Sequence, residues 1–399
     1  MVLQERKMSA LYKNYARSEI AFERGEGVRL FSTDGDEYFD FAGGIAVNIL
    51  GHADPYVVKA IKDQAEKLWH VSNVFTIPQA ETLAQRLVDI SFADMVFFTN
   101  SGAEAIECAI KTARRYFYDK DEADRYEIIT MEGAFHGRTL GTIAAGGNPS
   151  YLEGFGPKAG GFTQVARGDI DALKAAITPN SAAILFEPIQ GESGINILET
   201  DFLRDVRALC DEHGLLLILD EIQCGYGRTG KMFAYEWADI QPDIMALAKG
   251  IGGGFPLGAC LASAKVGNAM VPGTHGSTYG GNPLACTVGN AVFDRVSEAG
   301  FLDHVQEMGK YLAWNLQQLA QKYPDLIVQI RAKGLMVGIK VAPPVAQVVA
   351  ALRNAKLLTV GAGDNVVRML PPLIVTKDDI DEAVRRLDAG LKSLASAKA

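Results

Sequence analysis

The sequence predicts an α/β fold: a large domain with a mainly parallel sheet flanked by helices, followed by a smaller α+β domain. From about Met95 onwards, short and continuously apolar segments alternate with helical segments, as in parallel sheets covered on both faces. After about Pro283 long helical patterns dominate and the strands become few. The 399 residues, 48% of them hydrophobic, suffice for two or three domains with sizeable cores.

The first third of the chain mixes short strands with turns. Apolar segments at 28–32 and 37–41 flank the sequence Thr-Asp-Gly-Asp, which indicates a β-hairpin. Apolar residues at helical spacing then predict helices over 55–70 and 79–90.

The remaining elements follow from the same periodicities. They predict strands at 95–99, 127–131, 182–187, 215–220, 244–248, 336–341 and 366–370. They predict helices at 103–118, 170–177, 202–213, 284–299, 301–322, 345–356 and 377–396.

Composition argues against several classes of function. The formal net charge is −9 and no dense basic run occurs, so nucleic acid and anionic membranes are poor partners. No apolar stretch approaches the roughly 18 residues that span a bilayer, and the polar segment 1–17 lacks the apolar core of a secretory signal. The histidines show no HExxH pattern, so a metal site lacks support. We expect a soluble cytoplasmic protein whose scattered thiols stay reduced, namely Cys108, Cys210, Cys224, Cys260 and Cys286.

A possible anion site follows the first strand of the alternating region. Open α/β sheets bind ligands beyond the carboxyl ends of their strands. There Asn100, Ser101, Gly102 and Ala103 open a helix, whose free backbone N–H groups and dipole favour an anion. The Ser101 hydroxyl adds a donor, and Gly102 lets a phosphate approach the backbone. An ordinary helix cap is the alternative interpretation.

Two ionisable residues end later strands. Asp220 closes a wholly apolar strand, where a carboxylate is costly unless it is paired, either with a pyridinium N–H or with an Arg or Lys. Lys249 follows the next strand and precedes the glycine tract 250–254. Desolvation there would lower the pKa of its amine and make it a nucleophile and base, whereas a lysine that reaches solvent is the alternative.

These three features together meet the needs of one cofactor that carries a phosphate, a pyridine nitrogen and an aldehyde. The glycine tract itself is not a dinucleotide-binding fingerprint, because Phe255 stands where the third glycine would fall. It is not a P-loop either, because Lys249 precedes the glycines.

Six segments resemble the class III aminotransferases, which are fold type I pyridoxal-phosphate enzymes: NSGAEA (100–105), AFHGRT (134–139), FEPIQGESG (186–194), LDEIQCGYGRTG (219–230), ALAKGIGGGFPLGA (246–259) and HGSTYGGNPLA (275–285). Within the family, DFAGGIAVNILGHADP (40–55) and HVSNVFTIPQ (70–79) are most similar to bacterial members that act on N2-acetyl-L-ornithine. The resemblance implies a seven-stranded sheet in a cofactor-binding domain over 49–285. Residues 286–399 would form the small domain, which the segment 1–48 would join.

The resemblance also implies how the chain holds pyridoxal 5'-phosphate. Lys249 would bind it as a Schiff base and move the proton during catalysis. Asp220 would pair with the pyridine nitrogen, Gln223 would hydrogen-bond near the phenolic oxygen, and Phe135 would stack on the ring. The phosphate would lie against Ser101, Gly102 and Ala103.

Three charged residues would handle the substrates. Arg138 would bind the substrate α-carboxylate through its planar fork, unless it forms a structural ion pair. Glu192 would shield Arg368 while the amino donor is bound and swing away when 2-oxoglutarate presents a second carboxylate. A permanent salt bridge between Glu192 and Arg368 is the alternative.

Further roles depend on a second subunit or on less typical positions. Thr278 would reach the phosphate of the neighbouring subunit's site, which requires a homodimer with shared active sites. Ser277 would lie near the substrate, as would Tyr15. Ile106, where relatives commonly carry Asn, is interpreted as a packing residue, and Cys224 is also not the commonest choice.

The expected reaction is transamination of N2-acetyl-L-ornithine with 2-oxoglutarate to N-acetyl-L-glutamate 5-semialdehyde and L-glutamate, in arginine biosynthesis. The same chemistry on ornithine, succinylornithine, succinyl-diaminopimelate or 4-aminobutyrate is the main alternative. An aminomutase that keeps the amine on one substrate is a second alternative. A non-catalytic pyridoxal-phosphate-binding regulatory domain is a third, although no basic helix-turn-helix segment is visible.

Overall fold

The computed structural model describes residues 10–396 and contains one seven-stranded sheet, two four-stranded sheets and a two-stranded ribbon. The strands are β1 Phe22–Glu26, β2 Arg29–Ser32, β3 Glu37–Asp40, β4 Met95–Thr99, β5 Glu127–Met131, β6 Phe162–Val165, β7 Ser181–Phe186, β8 Ile189–Gln190, β9 Asn196–Ile197, β10 Leu216–Asp220, β11 Ile244–Leu247, β12 Gly258–Ala262, β13 Ile327–Lys333, β14 Met336–Val341, β15 Leu357–Leu358, β16 Val360–Ala362 and β17 Val366–Met369.

The helices flank the sheets and contribute apolar faces to the cores. They are α1 Gly43–Ala46, α2 Pro55–Ala65, α3 Pro78–Asp89, α4 Gly102–Asp119, α5 Leu140–Gly146, α6 Pro149–Leu152, α7 Ile170–Ala176, α8 Thr200–His213, α9 Ala264–Gly267, α10 Pro283–Val296, α11 Phe301–Lys322, α12 Val345–Asn354 and α13 Lys377–Ser396. Among residues 10–396 no helix is both long enough and apolar enough to cross a membrane.

The seven-stranded sheet has the order β4-β12-β11-β10-β7-β5-β6. Only β12 runs against its neighbours, and the other six strands run in one direction. The residues of β7, β10, β11 and β12 are all buried, as expected for strands covered on both faces. The predicted, mainly parallel sheet is therefore confirmed, and its six carboxyl ends meet at one edge.

The smaller sheets connect the two ends of the chain. The predicted hairpin is confirmed as β2 paired antiparallel with β3. Strand β3 also pairs parallel with β15, which joins the N-terminal part to the C-terminal part. On the basis of this pairing, we propose that the segment 1–48 belongs with the domain 286–399. Residues 1–9 of the segment and residues 397–399 of the domain lie outside the described residues.

The element boundaries agree with the sequence in most places but not in all. The helix predicted over 55–70 ends earlier, at Ala65, because the Trp69 Nε1 donates to the Ala65 carbonyl and the Gln64 amide donates to the Leu68 carbonyl. The short strands β8, β9, β15 and β16 were not predicted, and neither were β1, β6, β12 and β13. Of the longer four, β1, β6 and β13 are partly exposed along their length, and β12 consists mainly of small residues. None of these four strands therefore shows a clear apolar pattern in the sequence.

Candidate active site

The carboxyl edge of the large sheet borders a cavity of about 420 Å³. Its walls come from the loops that follow successive strands of the sheet, which is where open α/β sheets place their ligands. The lining includes Val47, Asn100, Ser101, Gly102, Ala103, Phe135, His136, Gly137, Arg138, Glu187, Asp220, Ile222, Gln223, Ala248, Lys249, Gly254, Phe255, Pro256 and Leu257.

The cap of helix α4 forms one end of this cavity. Ser101 is the N-cap, and its hydroxyl accepts a hydrogen bond from the Glu104 N–H at 3.3 Å. The Glu104 side chain returns to accept from the Asn100 N–H at 2.7 Å. The helix-cap interpretation is thus confirmed for Ser101, and it fixes the direction in which the first turn of α4 points.

The same first turn also keeps backbone donors free. Within residues 10–396 the N–H groups of Gly102 and Ala103 donate no hydrogen bond. A Cβ at Gly102 would approach the end of the Ile222 side chain to 2.8 Å, so a larger residue there would require that side chain to shift. Free donors at the positive end of an 18-residue helix form an anion site without any further change.

Asp220 lies at the end of β10 and is 2% exposed. One of its oxygens, Oδ2, is 2.8 Å from His136 Nδ1, and the other accepts from the Ile222 N–H at 3.1 Å. Burial opposes a charge on His136, but the hydrogen bond and the negative charge of Asp220 outweigh it and raise the pKa of the imidazole. The partner of this buried carboxylate is therefore a histidine rather than the arginine or lysine considered from the sequence.

Glu187 follows β7 directly and adds a second buried carboxyl group. It accepts from the Phe135 N–H at 2.8 Å and from the Gly191 N–H at 3.3 Å. Burial raises its pKa to about 7, helped by the nearby negative charge of Asp220 and opposed by His136. Glu187 thus ties the loop that carries Phe135 and His136 to the end of the neighbouring strand.

Lys249 lies two residues beyond β11, with a backbone φ of 50° that residues other than glycine rarely adopt. Its amine makes no hydrogen bond or ion pair with the described residues. Burial lowers the pKa of this amine, and the Arg368 charge lowers it further, while the carboxylates of Glu192, Asp220 and Glu187 act in the opposite direction. An amine whose pKa is lowered in this way and that faces the cavity is suited to act as a nucleophile or base.

Beside the cavity, Glu192 and Arg368 form a two-point ion pair, with N–O distances of 2.6 and 3.0 Å. Gln223, which lines the cavity, contacts both partners at 3.4 and 3.3 Å. Arg368 is a β17 residue, so this ion pair joins the four-stranded sheet β13-β14-β17-β16, the second sheet, to the loop that follows β8. Burial would raise the pKa of Glu192, but the guanidinium of Arg368 lowers it overall.

Arg138 stands at the exposed side of the cavity. Its guanidinium lies 3.8 Å from the ring centre of Tyr151 and 5.6 Å from that of Phe135. The rings of Phe135 and Tyr151 meet edge to face at 6.0 Å. Among the described residues Arg138 has no carboxylate partner, so its fork is available to a ligand.

Five of the sequence-predicted site residues do not line this cavity: Glu192 and Arg368, described above, and Ser277, Thr278 and Tyr15. Ser277 lies next to it, within 3.4 Å of the Asn100 amide. Thr278 is exposed on the surface beyond Ser277. Tyr15 is 69% exposed and contacts Arg17. These three roles therefore stay predictions.

Sequence reasoning missed His136 and Glu187 as cavity residues. Both occur in segments that carry the family resemblance, AFHGRT and FEPIQGESG, so the signal was present. A charged residue directly after an apolar strand is the pattern that identified Asp220, and Glu187 follows β7 in the same way. The packing role expected for Ile106 is confirmed, because the side chain is fully buried.

The cavity fits a phosphate-bearing pyridine aldehyde. Free N–H groups stand at one end, a buried carboxylate lies deep inside, and an unpaired amine faces the same space. His136 also supports a ligand in this cavity. Its Nδ1 contacts Asp220, whereas its buried Nε2 has no hydrogen-bond partner among the described residues, as expected for a group that a ligand would satisfy. The arrangement supplies a donor, an acceptor and a nucleophile at the places where such a molecule needs them.

Comparison with known proteins gives concordant results. The model of the family described as aminotransferase class-III matches residues 11–391. The chain is 59% identical over 389 residues to acetylornithine aminotransferase from Mesorhizobium japonicum, which covers 98% of both chains. The crystal structure of N-acetylornithine aminotransferase from Stenotrophomonas maltophilia K279a is similar with a TM-score of 0.85 and 37% identity, covering 96% of this chain and 98% of the other.

A further structure, ornithine aminotransferase from Toxoplasma gondii with partial occupancy of PLP at its active site, has a TM-score of 0.93 and 31% identity. The match covers 97% of this chain and 93% of that chain. All these likenesses extend over nearly the whole chain, so they include both the large sheet and the second sheet.

Proposed function

The chain belongs to the class-III aminotransferases, and we propose that it transfers the terminal amino group of N2-acetyl-L-ornithine to 2-oxoglutarate. The products are N-acetyl-L-glutamate 5-semialdehyde and L-glutamate, as in arginine biosynthesis. Its cofactor is pyridoxal 5'-phosphate. The observation that carries the proposal is the unpaired Lys249 amine, which faces the same cavity as Asp220 and the free N–H groups of α4.

Each end of the cavity would hold one part of the cofactor. The Gly102 and Ala103 N–H groups and the Ser101 hydroxyl would bind its phosphate. Asp220 would pair with its ring nitrogen, while Gln223 would hydrogen-bond near its phenolic oxygen. The ring of Phe135, which lines the cavity, would stack on it.

Bound in this way, pyridoxal phosphate supplies an electron sink that lets an amino group move between two substrates. Lys249 would bind it covalently and then carry the proton on Nζ, a task that needs the neutral amine its burial favours. Asp220 would be held in place by His136, whose Nδ1 lies 2.8 Å from the Asp220 Oδ2, with both side chains buried. His136 is thus a positioning residue, whereas Asp220 touches the cofactor.

Arg138 would bind the α-carboxylate of the amino donor. Its guanidinium is held over the ring of Tyr151 and leaves its donors free for a two-point contact. The carboxylates that line the cavity are Glu187 and Asp220, both deeply buried. A donor with a free α-ammonium would need an acid beside Arg138, so the lining favours a donor whose α-amine is acylated.

The Glu192–Arg368 pair would let one cavity accept two substrates. While the pair is closed, Arg368 is neutralised and the acyl donor can occupy the space beside it. When 2-oxoglutarate arrives, its second carboxylate would replace Glu192 on Arg368. The Glu192 side chain is 25% exposed, so it can move to solvent, whereas the Arg368 side chain is 1% exposed.

We also propose a cytoplasmic homodimer. Thr278 and several apolar side chains are exposed on one surface that includes Trp69, Val74, Phe75 and Tyr279. The Asn73 amide donates to the carbonyls of residues 277 and 280, so the segments 68–75 and 275–281 form a single continuous face. A second copy that covers this face would bring Thr278 to its neighbour's cavity, and sedimentation measurements would detect the dimer.

The lysine assignment has a direct chemical test. Borohydride reduction of the holoenzyme should fix the cofactor on the peptide that contains Lys249, as read by mass spectrometry. Lys249→Ala should lose this adduct, and Lys59→Ala, on the exposed face of α2, should keep it. An adduct on any other lysine in the wild-type enzyme would refute the assignment.

The donor assignment is tested by steady-state kinetics with N2-acetyl-L-ornithine and L-ornithine. We expect kcat/KM to favour the acetylated donor by about tenfold or more, which corresponds to about 1.4 kcal/mol. Arg138→Ala should raise KM for that donor, and Arg138→Lys should restore part of the loss. Equal use of both donors would refute the preference.

Ornithine is the second candidate donor, because the Toxoplasma gondii ornithine aminotransferase has the same fold at a TM-score of 0.93. The two candidates differ only in the group on the α-nitrogen. Ornithine would be favoured if kcat/KM for it exceeded that for the acetylated donor.

A further inference from the structure

A second cavity, of about 360 Å³, lies between helix α4 and strand β12, away from the first. We call it the sulfur cavity, because four sulfur-bearing side chains line it together with one histidine. These lining residues are Met95, Cys108, Cys260, Met270 and His275. None of them has a role in the transamination described above.

The two cysteines of the sulfur cavity lie against each other. Cys108 is on α4 and Cys260 is on β12, and both are buried and line this cavity. Cys108 also lies 3.9 Å from the Thr112 hydroxyl. Two buried thiols that line one cavity, on a helix and a strand that pack together, are candidates for a disulfide.

His275 and Lys111 complete the cluster on the side of Cys108. The Lys111 ammonium lies 2.8 Å from His275 Nδ1 and, since it can only donate, it makes that nitrogen an acceptor. The imidazole also lines the sulfur cavity beside Cys108, where it lowers the pKa of that thiol. This chain places a cationic group behind the imidazole and favours the thiolate form of Cys108.

The two thiols are consequently unequal. The neighbouring Cys260 thiol, together with His275, lowers the pKa of Cys108 to about 6 although burial acts against this. The pKa of Cys260 is raised well above its usual value by the neighbouring Cys108 and by burial. Buried cysteines elsewhere behave oppositely to Cys108, since burial raises the pKa of Cys210 and of Cys286 to about 12.

We propose that Cys108 and Cys260 form a peroxide-sensitive thiol pair, with the sulfur cavity as the binding place for a small hydroperoxide. The Cys108 thiolate attacks one oxygen of the peroxide, the O–O bond breaks, and hydroxide or an alkoxide leaves. Cys108 is thereby oxidised to a sulfenic acid. The Cys260 thiol then attacks that sulfur, water leaves, and a disulfide links α4 to β12.

This linkage has a structural consequence at the first cavity. Cys108 lies in the second turn of α4, whose first turn carries the free N–H groups of Gly102 and Ala103. Cys260 lies two residues after Gly258, where a Cβ would already approach the carbonyl oxygen of Ser101 to 2.8 Å. Pulling α4 towards β12 would therefore shift the phosphate-binding turn, and the oxidised protein should release its cofactor faster.

The test treats the holoenzyme with an equimolar amount of hydrogen peroxide and maps its peptides without reduction. We expect a Cys108–Cys260 cross-link, two hydrogens lighter than the separate peptides and reversed by dithiothreitol. Cys260→Ser should stop at a Cys108 sulfenic acid that dimedone traps, and Cys108→Ser should give neither product. Cys286→Ser is the matched control and should retain the cross-link.

A measurement on the unmodified enzyme keeps the proposal testable even if a variant fails to fold. Iodoacetamide should label Cys108 faster than Cys286 by on the order of tenfold or more at neutral pH. Lys111→Met should slow this labelling, and Lys120→Met, at the far end of the same helix, should leave it unchanged. Labelling of Cys108 at the rate of Cys286, or oxidation that leaves Cys108 and Cys260 unlinked, would overturn the proposal.

Discussion

Two charge clusters border the catalytic cavity, and they differ in how they are held. Asp220, His136 and Glu187 form the strand-end cluster, which is buried at the carboxyl edge of one sheet. Glu192 and Arg368 form the loop–strand pair, which joins the loop after β8 to β17 of another sheet. Both clusters contain carboxylates with a basic partner, yet only the second has a member that solvent reaches.

The difference indicates different tasks. In the strand-end cluster both carboxylates accept backbone N–H groups besides their other contacts, so each is fixed from two sides. Such a cluster suits a group that stays bound through every turnover. In the loop–strand pair Arg368 is locked while Glu192 can leave, although the Glu192 carbonyl still accepts from the Gly363 N–H. That pair suits an exchange of partners.

The largest effect is expected in the strand-end cluster. Asp220→Asn keeps the shape but removes the negative charge that would hold a proton on the cofactor's ring nitrogen. We expect kcat/KM to fall by about 1000-fold, which is about 4 kcal/mol of transition-state stabilisation. Steady-state kinetics with the acetylated donor would measure it.

Asp243→Asn is the matched control for this change. Asp243 directly precedes β11 and binds the Leu217 N–H and Arg207, at the opposite edge of the same sheet. It should affect stability and leave kcat/KM near the wild-type value. If Asp220→Asn stayed within tenfold of wild type, the strand-end cluster would be structural only.

The two clusters also differ in how far the sequence alone predicted them. Asp220 was identified because a carboxylate at the end of an apolar strand needs a partner, and the strand itself was clear from its run of apolar residues. Its partner His136 was not identified, because it lies 84 positions away in the sequence and no local sequence pattern predicts a contact between two loops.

The loop–strand pair was expected only through the family resemblance. Its members are 176 positions apart, and the pairing depends on how the second sheet packs against the first. Strand β12 was missed for a related reason, because small residues in an antiparallel strand give no distinct periodicity. Local chemistry at strand ends was therefore predictable, whereas contacts set by packing were not.

The loop–strand pair should show an intermediate effect. Glu192→Gln leaves Arg368 without its counter-charge, which favours substrates that carry a second carboxylate. We expect the ratio of kcat/KM for 2-oxoglutarate over the acetylated donor, each with its co-substrate saturating, to rise by about tenfold, or about 1.4 kcal/mol. Glu199→Gln, an exposed residue just before α8, should leave the ratio unchanged. A constant ratio in Glu192→Gln would mean that the pair is a permanent salt bridge.

The smallest effect is expected on folding stability, whose dependence on pH should differ between the two clusters. Burial raises the pKa of Glu187 to about 7, whereas an exposed glutamate titrates near 4.3. The native state then holds a proton that the unfolded chain has lost, so this contribution to stability is complete below about pH 4 and disappears as the pH rises through 7.

Between pH 6 and 8 the wild-type protein should therefore lose about 1 kcal/mol of stability that Glu187→Gln does not lose. Other buried acids such as Glu221, whose pKa burial raises to about 8, titrate in both proteins and cancel in the difference. Glu192→Gln should not produce the same pattern, because Arg368 lowers the pKa of Glu192 and the carboxylate is ionised throughout this range. Denaturant melts of the three proteins at both pH values provide the measurement. If wild type and Glu187→Gln lost the same stability between pH 6 and 8, Glu187 would be ionised in the native state over this range. The strand-end cluster would then carry one more negative charge.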